Sequence, residues 1–217
     1  MLKADLHIHT SEDTKDHYIK YSARELIDKA SSMGYQVLSI TLHNTQYYDE
    51  IKEYAQSKGI LLIPGVEKNI EGKHTLLYNF SKEELSWIRH FEDLRKIDRK
   101  NKLVIAAHPF FKTSTCIGIK LKKYIDVFDA FEYSFFFNHI INFNKKAVKL
   151  AKKFGKTLIG TSDLHYIDNF GTCFSMIDAE KDIDSIIQAI KSNKVQLHAK
   201  PLSLAKFFNI AIKLKLL

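Results

Sequence analysis

The sequence predicts an α/β fold of parallel strands joined by crossover helices. Short apolar runs alternate with amphipathic stretches along the chain, the order expected of repeated strand–helix–strand units. Several amphipathic stretches end at a glycine just ahead of the next apolar run, as helices that close in a left-handed residue do. Histidines recur where the apolar runs stop.

In chain order, the strands are expected at Leu2–His7, Gln36–Thr41, Ile60–Val66, Thr75–Phe80, Leu103–Ala107, Val127–Glu132 and Thr157–Gly160, with weaker signals at Cys173–Ile177 and Val195–Leu197. The stretch "SARELIDKASSMGY" sets Ser22 three residues before Glu25, the spacing of a capping box, and Gly34 ends that helix. "YDEIKEYAQSKGI" closes at Gly59 and "NKKAVKLAKKFGK" at Gly155. "DIDSIIQAIKSNK" starts a further helix at Asp182 or Asp184. The apolar, basic segment from about 201 to 217 is expected to be a helix that packs on the domain or on a partner.

The 217 residues contain no Ser/Gly-rich linker and no low-complexity tract, so 1–217 is expected to be one domain. No apolar run approaches the ~20 residues that span a bilayer, and no signal-peptide pattern opens the chain. Cys116 and Cys173 are far apart and make no metal-type pair. A reduced, cytoplasmic protein is expected, with no membrane partner. The net charge of +8 favours anionic partners: a phosphate ester, with nucleic acid as a further candidate. The lysines of "NKKAVKLAKKFGK" have helical spacing and are expected to form a solvated face. Oligomeric state is not legible.

His7, His9, His43, His108 and His165 lie at or just past strand ends, and Glu67 follows "ILLIPGV" in the same way. The C-terminal ends of parallel strands open onto one face, so these residues are expected to converge on one mouth. Alternation along a strand points residues i and i+2 the same way. His7 and His9 can then bind one ion side by side, and Asp163 and His165 repeat the arrangement. Imidazoles with carboxylates suit zinc, manganese or iron. There are more ligands than one tetrahedral ion takes, so two or three divalent metals are expected.

The ordered stretches "DLHIHT", "ITLHN", "PGVE", "AAHPF" and "GTSDLH" resemble the motifs of the PHP (polymerase and histidinol phosphatase) superfamily, over roughly residues 1–200. The resemblance implies a distorted (β/α)7 barrel, TIM-like, with parallel strands and outer helices. It also implies a metal-dependent phosphoesterase that hydrolyses a nucleotide, an oligonucleotide end or a small phosphate monoester. His7, His9, Glu67 and Asp163 would hold one metal. Glu67 would bridge to a second, held also by His108 and His74. His43 and His165 would serve a third metal or the leaving group, with Asp16 or His17, ahead of Asp13, supplying the remaining ligand. Leu42 stands where relatives carry an aspartate, and the loop "SEDTKDHYIKY" lacks their S-D-G pattern. Glu132 is expected to support the ligands rather than bind metal. Tyr133, Phe135, Phe136 and Phe137 offer either core packing or a surface for stacking a base.

Two metals about 3.5–4 Å apart can supply hydroxide near neutral pH and offset charge on both the attacking and leaving oxygens. Lys15, Lys20, Lys68 and Lys112 stand beside strand-end loops, where they could hold an anionic substrate. No Walker loop, dinucleotide fingerprint or G-x-S-x-G elbow is present. The alternative from another class is a non-catalytic, nucleic-acid-binding subunit like the barrel protein of ribonuclease P. Hydrolysis of a C–N bond ranks last, because no candidate for a carboxylated lysine stands at a strand end.

Overall fold

Ten strands and six helices make up the computed structural model, which describes residues 1–213. The strands are β1 Leu2–Ile8, β2 Val37–Ile40, β3 Leu61–Leu62, β4 Gly65–Ile70, β5 Lys73–Tyr78, β6 Leu103–Ala106, β7 Ala130–Ser134, β8 Thr157–Thr161, β9 Cys173–Ile177 and β10 Val195–Ala199. The helices are α1 Ala23–Ser32, α2 Lys52–Ser57, α3 Lys82–Trp87, α4 Lys145–Phe154, α5 Ile183–Lys191 and α6 Leu204–Lys213. Every expected strand is present, shifted by a few residues. The run Ile60–Val66 divides into β3 and β4, because Pro64 has no N–H to continue a ladder.

Local chemistry accounts for the helix ends. Ser22 and Glu25 close a full capping box on α1, and Ser81 with Glu84 does the same on α3. Asp182 accepts from the Ser185 N–H at the start of α5. In α4, Ala147 and Ala151 are buried while Lys145, Lys146, Lys149, Lys152 and Lys153 are exposed, so these lysines form a solvated face. Phe207, Ile210 and Ala211 of α6 are buried against Phe135, Phe136 and Leu202. That helix packs on the domain; residues 214–217 of the expected segment lie outside the described residues.

The expected distorted (β/α)7 barrel of parallel strands does not form. The strands make two five-stranded sheets, in the orders β10–β9–β1–β2–β3 and β4–β5–β6–β7–β8. Both are mixed. The β1–β2, β2–β3, β6–β7 and β7–β8 pairs are parallel, whereas β4–β5, β5–β6, β1–β9 and β9–β10 are antiparallel. The two-residue turn Glu71–Gly72 has φ of 51° and 76°, which reverses the chain into a hairpin where a crossover helix was expected. β9 and β10 likewise run against their neighbours. At the mouth the sheets meet through isolated bridges, Ile8 to Leu164 and His43 to Glu67.

Side chains fill the space between the sheets. Leu6, Val37, Ile63, Leu76, Tyr78, Ile105 and Ile159, drawn from both, share one apolar cluster. The Tyr78 hydroxyl donates to the Leu6 carbonyl at 2.7 Å, tying β5 to β1. At Gly65 the approach is so close that an added Cβ would stand 2.1 Å from Ser39 Oγ of β2 and 3.0 Å from the Tyr78 ring. Gly65→Ala is therefore expected to lower stability by about 1–3 kcal/mol, read as a lower midpoint in urea unfolding.

Candidate metal centre

The ligands are assembled at the two places where the sheets touch. His9 N–H donates to the Leu164 carbonyl at 3.1 Å, between the end of β1 and the loop after β8. Across the other seam, Asn44 N–H donates to the Glu67 carbonyl at 2.9 Å and Glu67 N–H to the Leu42 carbonyl at 3.2 Å. These bonds set His7 and His9 beside Asp163 and His165, and His43 beside Glu67. His74 arrives by a different route. In the β4–β5 hairpin it lies opposite Asn69. Asn69 is two residues from Glu67, so His74 shares the glutamate's face.

Glu67 is buried, and its two oxygens serve different groups. Oε1 lies 2.8 Å from His74 Nδ1, 3.3 Å from His108 Nε2 and 3.4 Å from His7 Nε2. Oε2 lies 3.0 Å from His43 Nε2 and 3.5 Å from His9 Nε2. Asp163 Oδ1 stands 3.4 Å from His7 Nε2 and 3.7 Å from His9 Nε2. Four sets converge closely enough to share an ion: His7, His9 and Glu67; His43, Glu67 and His74; His9, Asp163 and His165; and His9, Asp13, Asp16 and His43.

Nearly every imidazole is held from behind. His7 Nδ1 donates to Glu132 at 2.7 Å and His9 Nδ1 to Asp13 at 2.9 Å. Asp13 also accepts from the His43 ring and from His43 N–H, each at 2.9 Å. Asp13 thus supplies the orienting carboxylate for His43, while Leu42 lies buried in an apolar cluster with Leu38 and Ile40. His165 Nδ1 donates to the Asp163 carbonyl at 2.8 Å. His108 is the exception in chemistry: its Nδ1 faces the sulfur of Cys116 at 3.2 Å. Glu132 is buried and also accepts from Thr161 and from His108 N–H.

This arrangement tests whether metal fits. Carboxylates only accept, so the Nδ1 atoms of His7 and His9 carry the hydrogens. Their Nε2 atoms then meet at 3.2 Å, turned toward each other and toward Glu67 and Asp163. Such a knot of acceptors needs positive charge at its centre. His74 Nδ1 and Asp16 Oδ2 are likewise buried and make no hydrogen bond, although partners lie close. A set of imidazole nitrogens and carboxylate oxygens fits divalent transition metals.

The electrostatics of the cluster show the same demand. Burial alone would lower His7, yet Glu132, Asp163 and Glu67 outweigh it and raise its pKa well above the usual value. Burial alone would raise Glu67 and Asp163, but the surrounding imidazoles hold both below the usual carboxylate range. His9 falls to about 4, through burial and the charge of His165. Beneath them, burial pushes Asp5 up to about 7.

His108 and Asp163 are further marked by positive φ, 26° and 42°. That region is costly for residues with a Cβ, by about 1–3 kcal/mol each. Such strain tends to persist where the surrounding structure holds a functional group in place.

Of the residues expected at the site, His7, His9, His43, Glu67, His74, His108, Asp163 and His165 are brought together. His17 is not: its side chain is exposed on the loop. Asp16 occupies that place, 3.2 Å from His165 Nε2 and 3.3 Å from His43 Nδ1. Asp13, ranked below both, is buried and central. Its spacing of four residues from His9 was the available signal, since a short turn returns the chain to the imidazole. Nothing in the pattern pointed to Cys116.

Comparison with known proteins agrees with this picture. A family model described as PHP-associated matches residues 142–195, which include Asp163 and His165. No curated protein matches the chain in sequence. Among solved structures, the chain is similar to a two-domain protein from Bacteroides vulgatus containing a predicted PHP-like metal-dependent phosphoesterase. The identity is 18%, over 98% of this chain and 69% of that one, with a TM-score of 0.71. It is also similar to PsfC from Pseudomonas syringae, at 17% identity over 99% and 96% of the two chains, with a TM-score of 0.66. A third is an amidohydrolase from Chromobacterium violaceum with bound sulfate and no metal, at 15% identity over 75% and 87%, with a TM-score of 0.55. The resemblance to the PHP superfamily read from the five motifs is thus borne out by the matched segment and by the fold.

Three substitutions test the site and its support. Glu132→Gln is expected to weaken manganese binding about 10–100-fold in calorimetric titration, because it removes the carboxylate behind His7. Asp16→Asn should also weaken binding, whereas His17→Ala should leave the isotherm unchanged.

Proposed function

We propose that this protein is a metal-dependent phosphoesterase that hydrolyses a phosphate ester held at the mouth between the two sheets. The two-sided engagement of Glu67 carries the reading: one oxygen faces His74, His108 and His7, the other His9 and His43. A carboxylate so placed can bridge two cations. His7, His9, Glu67 and Asp163 would hold the first, and Glu67, His74 and His108 the second. When bound, the ions would supply Lewis acidity to the phosphoryl group and lower the pKa of water at the site.

The chain's own groups do the rest. Glu132 and Asp13 fix the tautomers of His7, His9 and His43, so that each presents Nε2 to the site. His43 and His165 line the cavity beside Asp16. They would serve either as ligands of a third cation or, with two cations bound, as groups that hand a proton to the leaving oxygen. Leu164, between Asp163 and His165, is buried with Ile8, which anchors that loop against β1.

The nucleic-acid-binding alternative is favoured by net charge alone. The α4 lysines are spread on an exposed helix face and none of them lines the cavity. The similarity to an amidohydrolase keeps C–N hydrolysis as the reading to exclude by assay.

The test is chemical. Purified protein is expected to carry about two or more equivalents of transition metal per chain by elemental analysis. It should release nitrophenol from nitrophenyl phosphate mono- or diester with manganese added. Prolonged chelation should abolish turnover, and manganese should restore it. His7→Ala and Asp163→Ala should each lose turnover while keeping the circular dichroism of the wild type. Undiminished release by both variants, or exclusive hydrolysis of amides, would refute the assignment.

A further inference from the structure

Building on the phosphoesterase reading, we infer that the site takes a small ester with a single phosphoryl group on an apolar, ring-bearing alcohol. The cavity at the metal centre has two unlike halves. One is the imidazole and carboxylate cluster. The other is a wall of Phe111, Phe135 and Phe136. A phosphoryl group drawn to the first half leaves its ester substituent against the second.

The wall is well packed and apolar. Phe135 and Phe136 are buried. Phe136 stacks on Phe207 of α6, with ring centroids 4.2 Å apart and planes 12° from parallel. Phe111 is partly exposed and packs on Phe143 at 5.3 Å. It also stands edge-on to His108 at 6.0 Å, so it borders the metal cluster directly. Aromatic rings pack well in such offset and edge-to-face contacts.

The hydroxyl groups nearby already take part in hydrogen bonds. Thr113 and Thr115 hydrogen-bond to each other at 3.0 Å, and Thr113 also to Cys116 at 2.9 Å. Ser134 accepts from Phe136 N–H at 3.4 Å. A polyhydroxylated substituent would lose water against the phenylalanine wall, where it gains no partners, which is unfavourable. No lysine or arginine lines the cavity among the described residues. Beyond the metal cluster, a second phosphate or a carboxylate on the substrate would meet no countercharge. The cavity measures about 230 Å³, below the roughly 300–1,000 Å³ of sites that enclose larger ligands. Hydrolysis adds water across the P–O bond, releasing the apolar alcohol with a proton and leaving inorganic phosphate.

The experiment compares benzyl phosphate with glycerol 1-phosphate on the full, manganese-loaded chain. The two alcohols are both poor leaving groups of similar acidity, so the ratio of kcat/KM values reports the substituent's fit. Benzyl phosphate is expected to be favoured at least about tenfold, the scale of burying one ring. Phe111→Ser should reduce that ratio about tenfold, and Phe111→Leu should hold it within about threefold, with melting curves confirming that both variants fold. A wild-type ratio at or below one overturns the inference, as does a ratio unmoved by Phe111→Ser. If neither these esters nor nitrophenyl phosphate is hydrolysed, the phosphoesterase reading itself fails.

Discussion

Everything at the mouth of this protein depends on one arrangement: ring nitrogens turned inward around a buried carboxylate. His7 and His9 oppose their Nε2 atoms at 3.2 Å, with Glu67 and Asp163 close by. Left to themselves, such acceptors repel. They stay together because Glu132 and Asp13 hold the rings from the far side, and because charge of opposite sign can reside at the centre. Glu132 gathers His7, Thr161 and the His108 backbone.

The two-sheet architecture gives this cluster its place. Within each sheet, ladders satisfy the backbone. At the mouth, the sheets are joined by isolated bridges next to the ligands. Backbone freed from regular pairing can adopt unusual conformations, and His108 and Asp163 do so with positive φ. Farther in, Tyr78, Leu6 and Gly65 bring the sheets into contact. The apolar interior supplies rigidity, while the strained rim presents the side chains. The aromatic wall beside the cluster is part of a further core, built on α6 through Phe207.

Much of this was legible in the sequence. The strands were marked by apolar runs, and α1 by its capping box. The histidines at strand ends were visible as a class because imidazoles are uncommon where apolar residues would pack more cheaply. The motifs from "DLHIHT" to "GTSDLH" carried the resemblance to the PHP superfamily, and the matched segment and the fold agree with it. Strand direction was misjudged. A two-residue turn such as Glu71–Gly72 differs little from a helix-ending glycine in a linear reading, yet it reverses the chain and converts parallel into antiparallel pairing. The expected barrel was lost there, and again at β9 and β10.

The sequence by itself determined the donor types, their order along the chain and the elements that bear them, because these follow from residue chemistry and local periodicity. Only the tertiary structure decided which donors share a point in space. His17 and Asp16 are neighbours in sequence, and local rules do not separate them. One is turned to solvent, while the other faces His43 and His165. Asp13 and Cys116 acquired partners through folds of the chain that bring remote backbone together. Contacts of that kind depend on how sheets meet and loops close, and a pattern read along one dimension does not contain them.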